Sequence, residues 1–218
     1  MPGDMIHTSG KTYLRIVDGN LVQKVDEGTE HARLRKWKNP EGQEGSTWEL
    51  VYMNWTGHIK GLLFKNADYG TVCNVDLGDA VISFNTSGRY FSDFASKLCG
   101  ADLSKEFLIH PYSMEVDGKK KTGVSLQQNN EKLGNYFYDF ESKQTLHGFP
   151  VVDEAQKEKL KKNYWKVFFA EVEAFLIEKL GVLKFPTAEN AVKEVFGEEV
   201  KSDPVSELPI EGPSDLPF

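Results

Sequence analysis

Ser87-Gly88-Arg89-Tyr90-Phe91-Ser92-Asp93-Phe94-Ala95-Ser96-Lys97-Leu98-Cys99-Gly100 breaks the rhythm of the residues around it. Tyr90, Phe91, Phe94, Ala95 and Leu98 recur at helical spacing, so a short amphipathic helix is expected here, with Gly100 as its C′ residue. On both sides the apolar period is two. Before it, Thr12 to Val17 and Leu21 to Val25 read as a hairpin around Asp18-Gly19-Asn20. Strands follow at His31–Lys38, Thr47–Trp55, His58–Phe64, Gly70–Leu77 and Asp79–Asn85. After it, Glu106–Val116 and Gly123–Gln128 flank a turn with Asp117-Gly118 and the basic run Lys119-Lys120-Lys121. Asn135–Phe140 is the last aromatic strand candidate. Strands, one short helix and more strands predict a mainly β chain with helices, built as an OB-fold-type Greek-key barrel whose helix plugs one end.

Beyond Pro150 the pattern turns helical. Asp153 is placed to cap one long amphipathic helix reaching Leu180, with Gly181 as its stop. A shorter helix is expected from Thr187 to Phe196. The final segment holds Asp203, Glu207, Glu211 and Asp215 among Pro204, Pro209, Pro213 and Pro217, a composition that supports neither helix nor strand. The domain reading is therefore an OB-fold-like domain at 1–150, a helical extension at 151–197 and a disordered acidic tail at 198–218.

The net charge is −7, and residues 182–218, with three Lys against eight Asp and Glu, account for most of it. The remainder is close to neutral, which leaves room for a positive local surface. The N-terminus lacks the layout of a signal peptide, and no apolar run is long enough to span a membrane. A cytoplasmic protein with no membrane partner is expected. Cys73 and Cys99 are too few for a zinc site and read as packed, reduced thiols. The five histidines are scattered, and no nucleophile motif or phosphate-cradling loop is present, so neither an enzyme nor a cofactor or metal is expected.

Binding is better supported. Single-stranded nucleic acid is held by cations along its phosphates and flat rings under its bases. Arg33-Leu34-Arg35-Lys36-Trp37-Lys38 places four cations and a Trp in six positions, and a period of two puts Arg33, Arg35 and Trp37 on one face. Trp48 and Tyr52 share a face of the neighbouring strand, and Trp55 is on the opposite one. Lys119, Lys120 and Lys121 form a basic turn. Tyr112, Tyr136 and Tyr138 complete the candidate stacking groups.

Two features make the chain resemble known proteins. One is the block from Arg89-Tyr90-Phe91 through Leu108-Ile109-His110-Pro111-Tyr112 and Lys121-Thr122-Gly123-Val124-Ser125-Leu126-Gln127 to Tyr136-Phe137, whose layout resembles bacteriophage single-stranded DNA-binding proteins. The other is Asp215-Leu216-Pro217-Phe218, which is similar to the C-terminal tip of bacterial single-stranded DNA-binding proteins. The resemblance implies an OB-fold that coats single-stranded DNA, in a bacterial host. It also implies that Asp215, Leu216, Pro217 and Phe218 recruit replication and repair proteins. Two departures stand out: Asp215 alone adjoins the tip where the bacterial proteins have several consecutive acids, and a helix over 153–180 is not part of a minimal OB domain. A structural or protein-interaction phage component and a single-stranded RNA-binding protein remain alternatives, because a stacking surface does not inspect the 2′-hydroxyl. The oligomeric state is open, with the long helix packing on its own barrel or pairing between copies.

Overall fold

The computed structural model describes residues 10–38, 42–67 and 70–186, which are mainly β with helices at the C-terminal end. Strands β1 (Thr12–Val17) and β2 (Asn20–Lys24) form the expected hairpin. Asp18 and Gly19 both take positive φ, 47° and 81°, the signature of a type I′ turn. Gly19 has a second role: a Cβ there would lie 2.3 Å from the Ser113 amide nitrogen.

Strands β3 (Arg33–Lys38) and β4 (Glu44–Tyr52) make a long hairpin whose second strand also pairs with β2. A single strand was expected from Thr47 to Trp55. Instead the chain leaves the sheet at Met53-Asn54, and Trp55 opens a separate strand, β5 (Trp55–Gly57), in another sheet. Strands β6 (Gly61–Ala67), β7 (Gly70–Asp76) and β8 (Ala80–Asn85) meander antiparallel. The larger sheet has seven strands in the order β3-β4-β2-β1-β8-β7-β6, joined at its centre by parallel pairing of β1 with β8.

Helix α1 (Arg89–Leu98) forms where its stripe predicts, burying Phe91, Phe94, Ala95 and Leu98. Gly100 is the C′ residue, directly after the C-cap Cys99, but it lacks the left-handed φ common at that position. Glycine is needed there for space, since a Cβ would meet the Tyr136 ring at 2.7 Å. Strands β9 (Phe107–Val116), β10 (Lys119–Gln128) and β11 (Glu131–Lys132) complete a four-stranded sheet ordered β11-β10-β9-β5. Lys119 to Lys121 belong to β10, paired with Val116, Glu115 and Met114, and are not a turn. Only Asp117 and Gly118 turn the chain, each with positive φ. The aromatic segment 135–140 contributes just the two-residue strand β12 (Tyr138–Asp139), paired with β13 (Gln144–Thr145).

One core joins these layers. Leu14, Ile82 and Phe84 of the larger sheet, Ile109 and Leu126 of the smaller, and Phe91 and Phe94 of α1 are all buried in it. Phe84 and Phe94 stack at 4.7 Å. Helix α1 also closes an edge of β10: Asp93 accepts the Val124 amide, and Lys97 donates to the Val124 carbonyl.

The expected single helix is two. Asp153 caps α2 (Glu154–Leu160) by accepting the Gln156 amide at 3.0 Å. Lys161 then takes φ 50°, and a 3-10 turn at Lys161–Asn163 leads into α3 (Tyr164–Gly181), which includes Gly181 and ends at Val182. The break follows from burial. Tyr164 enters the interior and its hydroxyl accepts the Asp153 amide at 2.8 Å, which folds α2 back, while α2 buries no residue of its own. Val172, Leu176 and Leu180 pack α3 into the same core as the sheets. The helix expected at 187–196 and the acidic tail lie outside the described residues.

Candidate nucleic-acid interface

Residues paired across neighbouring strands project to the same side of a sheet. Lys24 pairs with Glu49 and Glu49 with Arg33, which makes a transverse row across β2, β4 and β3. Arg15 pairs with Val22 and Val22 with Val51, and strand alternation adds Tyr13 to the same face. Arg35 opposite Thr47 and Trp37 opposite Gly45 extend it along the hairpin. The other face carries Leu14, Leu21, Ile82 and Phe84 into the core. The larger sheet thus turns an open face outward bearing Tyr13, Arg15, Lys24, Arg33, Arg35 and Trp37.

Trp37 is the best-formed platform on this face. Its indole lies on Gly45, where a Cβ would come within 2.3 Å of the ring, and Nε1 donates to Thr47 Oγ1 at 3.1 Å. Trp37 is 39% exposed, so the held indole keeps an accessible surface. Tyr13, 54% exposed, sits on the same face three strands away.

Between them lies Glu49, fully buried although it points outward. Arg15 Nη2 reaches its Oε1 at 2.5 Å and Arg35 Nε reaches the same oxygen at 2.8 Å. Arg15 crosses β2 at Val22 to do so, and Val22 is itself fully buried. Arg33 and Lys24, both exposed, flank the carboxylate in its row. Four cations against one anion leave this region positive.

The other anticipated residues are distributed elsewhere. Lys36 and Lys38 point to the opposite side of the hairpin from Trp37, and Lys38 pairs with Glu44 at 2.9 Å. Trp48 shares that opposite side with Leu34. Tyr52 donates its hydroxyl to Gln23 at 2.9 Å and meets Trp55 edge-on at 5.3 Å, so these half-buried rings serve the junction between the sheets. Lys120 reaches Asp18 at 3.4 Å, tying β10 to the first turn, while Lys119 and Lys121 project to the other side of β10. Tyr112 covers Gly123, and burial, with Asp93 adding to it and Arg89 opposing, raises its phenol pKa. Tyr136 stacks on His147 at 3.9 Å, and Tyr138 meets Phe140 edge-on at 4.9 Å. Asp215, Leu216, Pro217 and Phe218 lie outside the described residues. The open sheet face therefore brings together only Arg33, Arg35 and Trp37 of the anticipated set.

Tyr13, Arg15, Lys24 and Glu49 were missed. Their signal was present: Tyr13 and Arg15 alternate with Leu14 and Ile16, which marks them as the outward residues of a half-buried strand. What the sequence did not supply was the strand order that sets β1 within reach of β4.

Among the described residues no group of three or more His, Cys, Asp or Glu could hold a metal ion, and no helix is long and apolar enough to cross a membrane. Burial pushes the Cys73 thiol up to about 12 and the Cys99 thiol to about 11, values unsuited to nucleophiles. The chain finds no significant match among protein-family models, curated proteins or solved structures.

Proposed function

We propose that the chain is a non-enzymatic protein that binds single-stranded DNA with little sequence preference, along the open face of the seven-stranded sheet. On this reading the two sheets and α1 form a partly open OB-type barrel, and the protein is a phage product acting in replication, recombination or repair in the bacterial cytoplasm. Asp215 to Phe218 would then dock partner proteins. The observation that carries the reading is the Trp37 indole, fixed over Gly45 with its ring exposed beside Arg33 and Arg35. A base stacked on such a ring contributes roughly 1–3 kcal/mol whatever its identity.

The test is titration with oligo-dT followed by tryptophan emission, with oligo-rU and duplex DNA as competitors. Quenching that saturates and resists duplex competition is expected. A preference for duplex, or no quenching at any excess of oligo-dT, would remove the proposal, and stronger competition by oligo-rU would move it to RNA. A second reading, a protein-interaction component, is favoured by one observation: α3 leaves Trp165, Val167 and Phe169 exposed. Under that reading oligo-dT leaves the emission unchanged.

A further inference from the structure

We infer that Arg15 and Arg35, held together by Glu49, form a preorganised seat for a single phosphodiester. The inference rests on the nucleic-acid reading and adds to it a defined subsite. A buried carboxylate in the middle of a surface that meets a polyanion is at first sight counterproductive, because it repels the ligand. Its geometry gives it another role. Both guanidinium groups are within 2.8 Å of the same oxygen, Glu49 Oε1, so they converge from opposite sides although they start on β1 and β3. Without that carboxylate two like charges would not stay so close.

The stoichiometry also matters. Two guanidiniums serve one carboxylate, which leaves a net positive charge at the pair. Arg35 uses only its Nε, and its two terminal nitrogens have no partner among the described residues. Arg15 uses only Nη2. Unused N–H groups on both forks are therefore available to phosphate oxygens, the acceptors that planar guanidinium groups match best. If a phosphate draws one arginine outward, the other still covers Glu49, so the buried charge is never orphaned. Glu49 Oε2, buried without a hydrogen-bond partner, gives the remaining arginine a place to shift to. With Arg15 46% exposed and Arg35 25% exposed, the seat opens to solvent between Tyr13 and Trp37.

Two variants separate this from simple electrostatics. Glu49→Gln removes a negative charge and nearly keeps the shape. Charge alone predicts tighter oligo-dT binding, whereas the seat predicts binding weaker by about tenfold with thermal stability monitored alongside. The double variant Arg15→Lys with Arg35→Lys keeps the charge, loses both forks, lies on an exposed face, and is expected to weaken binding by a similar factor. If Glu49→Gln does not fold, the double lysine variant decides. Binding within twofold of wild type in the lysine pair, or tighter binding by a folded Glu49→Gln, overturns the seat and leaves the parent reading standing. A wild-type chain that does not bind oligo-dT overturns both.

Discussion

Asp93 Oδ2 accepts the backbone amide of Val124 at 2.7 Å, and Lys97, one helical turn further on, donates to the carbonyl of that same residue. The two side chains are themselves paired at 2.9 Å. Together they present one acceptor and one donor to the edge of β10, as a neighbouring strand would. An open strand edge is a site for unwanted pairing, and here a helix covers it. Asp93→Ala leaves a part-buried amide unpaired and should cost about 1–3 kcal/mol. Urea denaturation checks this, and a midpoint indistinguishable from wild type would show that the contact contributes nothing.

Gly45 is held to glycine by the Trp37 ring. Gly45→Val should lift the indole and break its bond to Thr47, with little effect on global stability because this end of the hairpin is exposed. Quenching by oligo-dT should fall, and affinity should drop by roughly 1–3 kcal/mol, the contribution of one stacked base. Emission titration of the variant beside Trp37→Ala measures both, and the two should match.

Among the described residues, the part of the open face formed by β1, β2, β4 and β3 carries four cations, Arg15, Lys24, Arg33 and Arg35. If Lys24 and Arg33 each meet one phosphate and Arg15 with Arg35 share a third, log K against log salt should have a slope of about −2, and Arg33→Ala should reduce its magnitude by about 0.7. Titrations at several salt concentrations give both slopes. An unchanged slope in Arg33→Ala would place the strand elsewhere, with Lys119 to Lys121 as the next candidates.

The two thiols predict an alkaline limit to stability. Burial raises Cys73 to about 12, and burial also raises Cys99 to about 11, with the Lys179 charge pulling back in part. In the unfolded chain a thiol ionises near 9.0. The folded state therefore keeps its protons longer, and the stability they represent is intact below that value and lost as the pH climbs toward the folded values. The melting temperature should fall above about pH 9, and Cys73→Ala should flatten the decline. At pH 8 neither thiol should react with a disulfide reagent unless the protein is unfolded.

Much of the local structure was legible in the sequence. Asp18-Gly19 announced its turn, the stripe of Phe91, Phe94 and Leu98 announced α1, and alternation placed Arg33, Arg35 and Trp37 together. What failed has a common cause, namely tertiary contacts that outweigh local pattern. The apolar periodicity of 153–180 continues through Lys161, yet burial of Tyr164 breaks the helix there. The lysines at 119–121 look like a hairpin tip, but their pairing with β9 extends the strand through them. Glu49 reads as an ordinary exposed acid, and only the order of β1, β2, β4 and β3 brings two arginines onto it. For the same reason the candidate site was half visible: its β3 residues share one short segment, while its β1 residues depend on long-range pairing.

The parallel pairing of β1 with β8 has a consequence for synthesis. Thr12 has Ala80 as its register partner and Arg15 has Ser83, so the centre of the larger sheet is a long-range contact. Chains emerge from the ribosome N-terminus first. Until β8 has appeared, β1 has a bare edge and Leu14 lacks Ile82, its neighbour on the core face of the sheet. The β6-β7-β8 meander, by contrast, needs only its immediate neighbours in sequence. The first strands made must therefore wait for later ones before the sheet that carries the open basic face can close.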